Sequence, residues 1–241
     1  MKKARKYFLI SLAVIILDQI VKLIVKLNMQ LGEVGQIQVL GDLFKLHFIE
    51  NKGAAFGFTI SNLAGGLGFD MSEETGKLIL SVFSIIAVTV IGYVLYRLAD
   101  HKSPLPYYVA LIFGGAVGNI IDRTFYGLWF SGINEYEGGL FHGRVVDMFY
   151  LDIWRGHLPE WIPFWGGDYT SLWPIFNIAD SAISIGIVVI LLFQGRFFKM
   201  DEQARAIPLP QKNTGTTQVT EPVSVPEDEN FPETESDQTE E

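Results

Sequence analysis

The chain has 241 residues, no cysteine and a formal net charge of −9, and 49% of its residues are hydrophobic. The lack of Cys excludes disulfides, thiol nucleophiles and Cys-ligated metals, and no basic patch interleaved with aromatics supports nucleic-acid binding. The charge is concentrated: residues 210–241 hold nine acidic residues and one Lys, a net of −8, so the other 209 residues carry −9 − (−8) = −1.

Apolar residues gather in blocks about as long as a helix that crosses a bilayer core, roughly 18 to 22 residues. Four spans are predicted, at about 7–27, 78–96, 105–121 and 173–193. A cleaved signal peptide is the rival reading of the first, because "MKKARK" resembles a charged leader. No small-x-small cleavage site follows, and Asp18 and Lys22 interrupt the apolar core, so the block is read as a span.

Lysines and arginines near the span ends set the expected orientation. Lys2, Lys3, Arg5 and Lys6 precede the first span, Arg97 and Lys102 lie between the second and third, and Arg196 and Lys199 follow the fourth. Both termini and the short middle loop are therefore expected on the cytoplasmic side. The connections at about 28–77 and 122–172 are expected outside. The first alternates apolar and polar residues with Gly punctuation ("QIQVLGDLFKLHFIENKGAAFGF"), which predicts short strands or a hairpin platform. The second is dense in Trp, Tyr and Phe, which suits either the headgroup zone or the core of a small outer layer. Residues 200–241 are rich in Pro, Thr and Glu and are expected to be a disordered cytoplasmic tail.

A charge near the bilayer centre costs about 2.5 to 3.5 kcal/mol on insertion scales, so such residues pair, face the interior or carry function. Asp18 and Lys22 are four apart and can pair on one helix face. "GNIIDR" and "FNIADS" repeat one device, Asn119-x-x-Asp122 and Asn177-x-x-Asp180, at the outer end of the third span and the outer start of the fourth. Arg123 beside Asp122 suggests an interfacial charge anchor. Asp147, in "GRVVDMFY", is flanked by apolar residues that would press it toward the membrane. Orientation thus brings Asp122, Asp147 and Asp180 to one side. Two carboxylates in a partly dry site share one proton, which suits hydrolysis of a carbonyl compound. The residues alone leave both Asp122 and Asp147 open as the partner of Asp180. The four His match no metal-binding spacing, and neither metal nor cofactor is expected. A proton- or ion-coupled carrier is the alternative use of the same acids, although they cluster at one face.

"LDQIVK", "ENKGAAFGF", "GGAVGNIIDR", "VVDMFY" and "FNIADSAISIG", in this order across about 1–195, resemble bacterial lipoprotein signal peptidase, or signal peptidase II. The resemblance implies a mainly α membrane fold: four transmembrane helices with a small extracytoplasmic β-platform and an outer flap. It implies an aspartyl peptidase of the bacterial cytoplasmic membrane that cuts prolipoproteins before a diacylglyceryl-modified Cys. Its catalytic aspartates fall on Asp147 and Asp180. Its supporting residues fall on Asp18, Lys22, Asn51, Gly53, Asn119, Asp122, Arg123, Asn177 and Ala179. The implied partners are the modified prolipoproteins and membrane lipid, and the chain is expected to act as a monomer. Residues 124–144 and 151–172 are longer than the compact family pattern.

Overall fold

The structure is a computed structural model that describes residues 2–52, 59–66, 68–136, 138–153, 155–157, 159–161, 169–171 and 174–206. Gly53, the rest of the small-residue stretch after it and residues 207–241 lie outside that set.

In chain order the described elements are helix α1 (Lys2–Asn28), strands β1 (Ile37–Leu40) and β2 (Phe44–Asn51), and helices α2 (Ile60–Gly66), α3 (Glu73–Arg97) and α4 (Leu105–Ile121). A π-helical turn (Asp122–Tyr126) leads into the short α5 (Gly127–Trp129). Strands β3 (Val145–Leu151), β4 (Arg155–His157) and β5 (Tyr169–Ser171) follow, and α6 (Ile178–Ala206) completes the order.

Among the described residues, four helices are long and apolar enough to cross a membrane: Ala4–Asn28, Glu73–Asp100, Leu105–Trp129 and Ile178–Ala204. Their outward faces carry Leu12, Ile16, Phe83, Ile86, Val188 and Leu192, all exposed. A lipid-facing helix needs no polar face, since its backbone bonds are internal.

Two boundaries differ from the sequence reading. Helix α3 begins at Glu73, earlier than the apolar block, because Ser72 caps it by accepting from Thr75 N and Glu73 and Glu74 occupy the first turn. Helix α6 begins at Ile178, later than the apolar run, and continues to Ala206. Residues 200–206, read from the sequence as disordered tail, are therefore helix; "MDEQARA" is built mostly of good helix formers.

Helix α4 is the hub, packed against α1, α3 and α6. Its glycines permit this. A Cβ on Gly114 would lie 2.8 Å from Ser11 O, and one on Gly118 would lie 2.6 Å from Asp18 Oδ2. A Cβ on Gly115 would run into the Ala179 carbonyl and lie 2.9 Å from Ile183 Cγ1. Because Ala179 precedes Asp180, Gly115→Ala is expected to push α6 outward and destabilise the protein by about 1–3 kcal/mol. A melting curve and a cleavage assay on the purified variant check this; wild-type values in both would refute the tight contact.

Strands β1, β2 and β3 form an antiparallel sheet in that order. Ile49 pairs with Asp147, Glu50 with Val146 and Asn51 with Val145. Alternation then places Asn51 and Asp147 on one face, and Glu50, Val146 and Met148 on the other. The second face joins Val25, Phe48 and Tyr126 in an apolar cluster at the C-terminal end of α1. A separate cluster of Tyr7, Leu95, Leu105, Val109, Ala110 and Phe197 closes the opposite end of the bundle.

Beyond α4, residues 139–143 close over the π turn. Gly143 N donates to Arg123 O and Phe141 N to Thr124 O, both at 2.9 Å, satisfying carbonyls that a π turn displaces. A Cβ on Gly143 would collide with the Asp122 carbonyl.

Candidate active site

Asp180 lies in the first turn of α6. Asp180 N donates to Asn177 Oδ1 (2.9 Å), and Asn177 N donates to Asp180 Oδ2 (3.3 Å). This is a reciprocal capping box, made with Asn and Asp. The Asn-x-x-Asp spacing of "FNIADS" therefore has a local reason: it starts a helix long and apolar enough to cross a membrane and holds a carboxylate in its first turn.

The residues before the cap are tied to the sheet. Phe149 N donates to Phe176 O (2.8 Å) and Phe176 N to Phe149 O (3.0 Å). Asn177 consequently sits beside β3, where its Nδ2 donates to Asp147 Oδ1 (2.6 Å). One residue thus grips both acids, Asp147 by its side chain and Asp180 by its backbone. Asn51 Nδ2 donates to Asp147 Oδ2 (3.1 Å) from the neighbouring strand. Asn119 Nδ2 donates to Asp180 Oδ1 (2.8 Å).

Beneath the pair is a buried ionic pedestal. Asp18, Lys22 and Asp122 are each 0% exposed. Lys22 Nζ is 2.9 Å from Asp18 Oδ2 and 2.8 Å from Asp122 Oδ2, and donates to Asn119 Oδ1 at 2.8 Å. Its three protons are thus matched by three acceptors. The free lone pairs of the two acids do something specific. Asp18 Oδ1 accepts from Ala179 N (2.9 Å), and Asp122 Oδ2 accepts from Val146 N (3.2 Å). Each buried acid therefore holds the residue immediately before Asp180 or Asp147, and Lys22 ties the two together.

Gln19 completes the layer, donating to Asp122 Oδ1 (2.9 Å) and accepting from the buried Tyr126 hydroxyl (3.1 Å). Arg123 Nη1 donates to Ser84 Oγ (2.9 Å) on α3. The guanidinium feels the charges of Asp180, Asp122 and Asp147, and its buried Nε has no hydrogen-bond partner among the described residues. That leaves a donor near the acids for a ligand carbonyl.

Asp147 is 1% exposed. Burial, and next the charge of Asp180, push its carboxyl up to about 7, against the hydrogen bonds of Asn51 and Asn177 and the charge of Lys22. A carboxyl that retains its proton near neutrality beside a second carboxylate is equipped for acid–base chemistry.

Comparisons with known proteins give the family. The family model described as signal peptidase (SPase) II matches residues 10–196. The chain belongs to the signal peptidase II family. A lipoprotein signal peptidase of Amoebophilus asiaticus is 38% identical over 195 residues, 79% of this chain and 78% of that protein. One from Porphyromonas gingivalis is 37% identical over 222 residues, covering 86% and 89%. One from Pelodictyon phaeoclathratiforme is 34% identical over 216 residues, covering 88% and 98%. A solved structure described as a bacterial membrane enzyme, determined by the in meso method at 2.3 Å resolution, is similar over 85% of this chain and 94% of that one, with a TM-score of 0.49 and 24% identity.

This signal peptidase II chain is thus a peptidase and a multi-pass membrane protein, and the carrier alternative is not favoured. The structure gathers Asp18, Lys22, Asn51, Asn119, Asp122, Arg123, Asn177, Ala179, Asp147 and Asp180 in one site. Gly53 lies outside the described residues. The two Asn-x-x-Asp pairs differ in use: Asn177 and Asp180 cap each other, whereas Asn119 turns to Asp180 and Asp122 turns to Lys22. Sequence reasoning missed Gln19, Ser84 and Tyr126. Gln19 adjoins Asp18, so its place was within reach of the pattern; Ser84 carries no signal, being one hydroxyl in an apolar span.

Proposed function

We propose that this chain is an aspartic endopeptidase that removes the signal peptide from prolipoproteins, cutting before the diacylglyceryl-modified Cys. The observation that carries the reading is the grip of Asn177 on both Asp147 and Asp180 at the start of an apolar helix. Asp147, which favours its proton near neutrality, donates to the scissile carbonyl oxygen. Asp180 takes a proton from the attacking water. The tetrahedral gem-diol then collapses as Asp180 passes its proton to the leaving amine, the nitrogen of the modified Cys, the C–N bond breaks, and Asp147 retakes a hydroxyl proton of the gem-diol, which returns the dyad to its single-proton state. Arg123 Nε is placed to meet a backbone carbonyl of the substrate. Lys22, Asp18, Asp122, Asn119, Asn177 and Asn51 are positioning residues; Gly53 is assigned to the substrate border from the family pattern.

The lysines and arginines at the span ends support a cytoplasmic position for both termini and the α3–α4 connection, with the dyad on the outer side of the inner membrane. The diacylglyceryl group then stays in lipid while the peptide reaches the site from the side. A diacylglyceryl-modified pro-peptide is expected to be cut before its Cys and the unmodified peptide to be spared. Cleavage of neither would remove the peptidase assignment.

The pH dependence has a definite sign. The dyad works with one proton, and Asp147 holds it up to a pH of about 7. Raising the pH through that value removes the acid, so kcat/KM is expected to fall on an alkaline limb near 7. A flat profile from pH 6 to 9, at substrate well below KM, would contradict this.

A further inference from the structure

We infer that Lys26 is a second positioning lysine of the reaction, holding strand β2 through Glu50 so that Asn51 meets Asp147. The inference rests on the dyad reading above. Lys26 lies one helical turn beyond Lys22 on α1, so both face the site end of the bundle. It is 5% exposed. Its ammonium is saturated: it is bonded to Glu50 Oε1, it donates to Asn134 Oδ1 at 2.8 Å, and it lies over the Phe130 ring, 5.1 Å from the centroid. Asn134 Nδ2 in turn donates to Tyr126 O (3.1 Å). One cation thereby joins α1, β2 and the outer extension that precedes β3.

The position of Glu50 gives this joint its consequence. Glu50 is opposite Val146 and points to the back of the sheet; the next residue, Asn51, points to the front and donates to Asp147. The Glu50 side chain is 5% exposed. Its Oε2 has no hydrogen-bond partner among the described residues, so Lys26 is the group that keeps this carboxylate under the sheet. A buried ion pair gives little net stability, because desolvation offsets the attraction. Its effect here is geometric: it fixes the end of β2 at the register that Asn51 needs. The groups facing Asp147 are Asp180 from α6, Lys22 from α1, Arg123 from the end of α4, and Asn51 and Asn177.

The test uses the full-length enzyme in membranes or detergent, with a diacylglyceryl-modified pro-peptide, and reads kcat, KM and the alkaline limb. Asn51→Ala sets the scale. Losing its hydrogen bond should move the limb up by about half to one pH unit. Glu50→Ala is expected to follow it upward, with kcat down several-fold and KM little changed. Charge alone predicts the opposite: deleting an anion near Asp147 would lower the limb. Glu50→Gln keeps an acceptor for Lys26 and is expected to hold the limb at or slightly below the wild-type position. Asn134→Ala, which leaves the ion pair in place, should give a smaller upward shift and serves if Glu50→Ala does not fold. A wild-type or lowered limb in folded Glu50→Ala and in Asn134→Ala would overturn the role of Lys26. So would Glu50→Gln moving up as far as Glu50→Ala. Retained cleavage by Asp147→Asn would instead overturn the dyad reading itself.

Discussion

Asp147→Asn and Asp180→Asn are each expected to cut the rate of signal-peptide cleavage by about 10³-fold or more, to background, because on the proposed dyad an amide can neither hold nor accept the shuttled proton. The substitutions keep size and most hydrogen bonds. Each carboxylate accepts from two donors: Asn51 and Asn177 at Asp147, Asn119 and Asn177 N at Asp180. Asparagine preserves one of these contacts and sets its own NH₂ against the other donor. That costs about 1–3 kcal/mol, enough to lower the melting temperature and too little to unfold a typical domain. Melting and membrane insertion must therefore be measured beside activity. A folded variant of either residue with more than about a tenth of wild-type kcat would exclude that acid from catalysis. Asp122→Asn is the informative contrast, because Asp122 is the other acid that the residues alone admit as a partner. It can still accept from Val146 N, so it is expected to retain more activity than the Asp147 variant.

Lys22→Met gives the largest expected loss of stability. It leaves Asp18 and Asp122 buried at 0% exposure without their shared cation. Removing one member of a buried ionic group costs about 3–5 kcal/mol, since the surviving charge has neither water nor partner. Two such charges remain here. The variant should melt far below wild type and cleave no substrate, because Ala179 and Val146 lose the anchors that aim Asp180 and Asp147. Combining Lys22→Met with Asp18→Asn and Asp122→Asn removes the stranded charges while keeping carbonyl acceptors for both backbone N–H groups. The triple variant should recover most of the lost stability. Wild-type melting and activity in Lys22→Met would mean that the pedestal holds nothing. A triple variant no more stable than the single one would place the cost elsewhere than in unpaired charge.

Much of this was legible along the chain, for reasons that act locally. Apolar run length reports what can cross a bilayer, so the four spans could be read, and α4 matches its block from Leu105 to Ile121. The cost of burying charge makes Asp18, Lys22, Asp122 and Asp180 conspicuous wherever the chain goes. The alternation around residues 37–51 yields the hairpin of β1 and β2. Ends were less legible. Polar first turns such as Ser72–Glu74 belong to α3 by capping, which an apolar window does not see. The start of α6 is set by the Asn177 and Asp180 cap, which lies inside an apolar run.

The sequence by itself therefore determined that this is a four-span membrane protein with acids held near one face, and its ordered motifs pointed to its family. Tertiary structure alone decided which groups meet. Asn177 reaches Asp147 because the Phe149–Phe176 bridge lays the start of α6 along β3. Asp18 reaches the N–H of Ala179, 161 residues away, because glycines let α1 and α6 close on α4. Such contacts depend on through-space distances of a few ångströms, and spacing along a chain encodes those only within a single helix or strand pair. Lys26 shows the limit well: in sequence it is one more lysine at the end of a span, and only the fold puts Glu50, Asn134 and Phe130 around it.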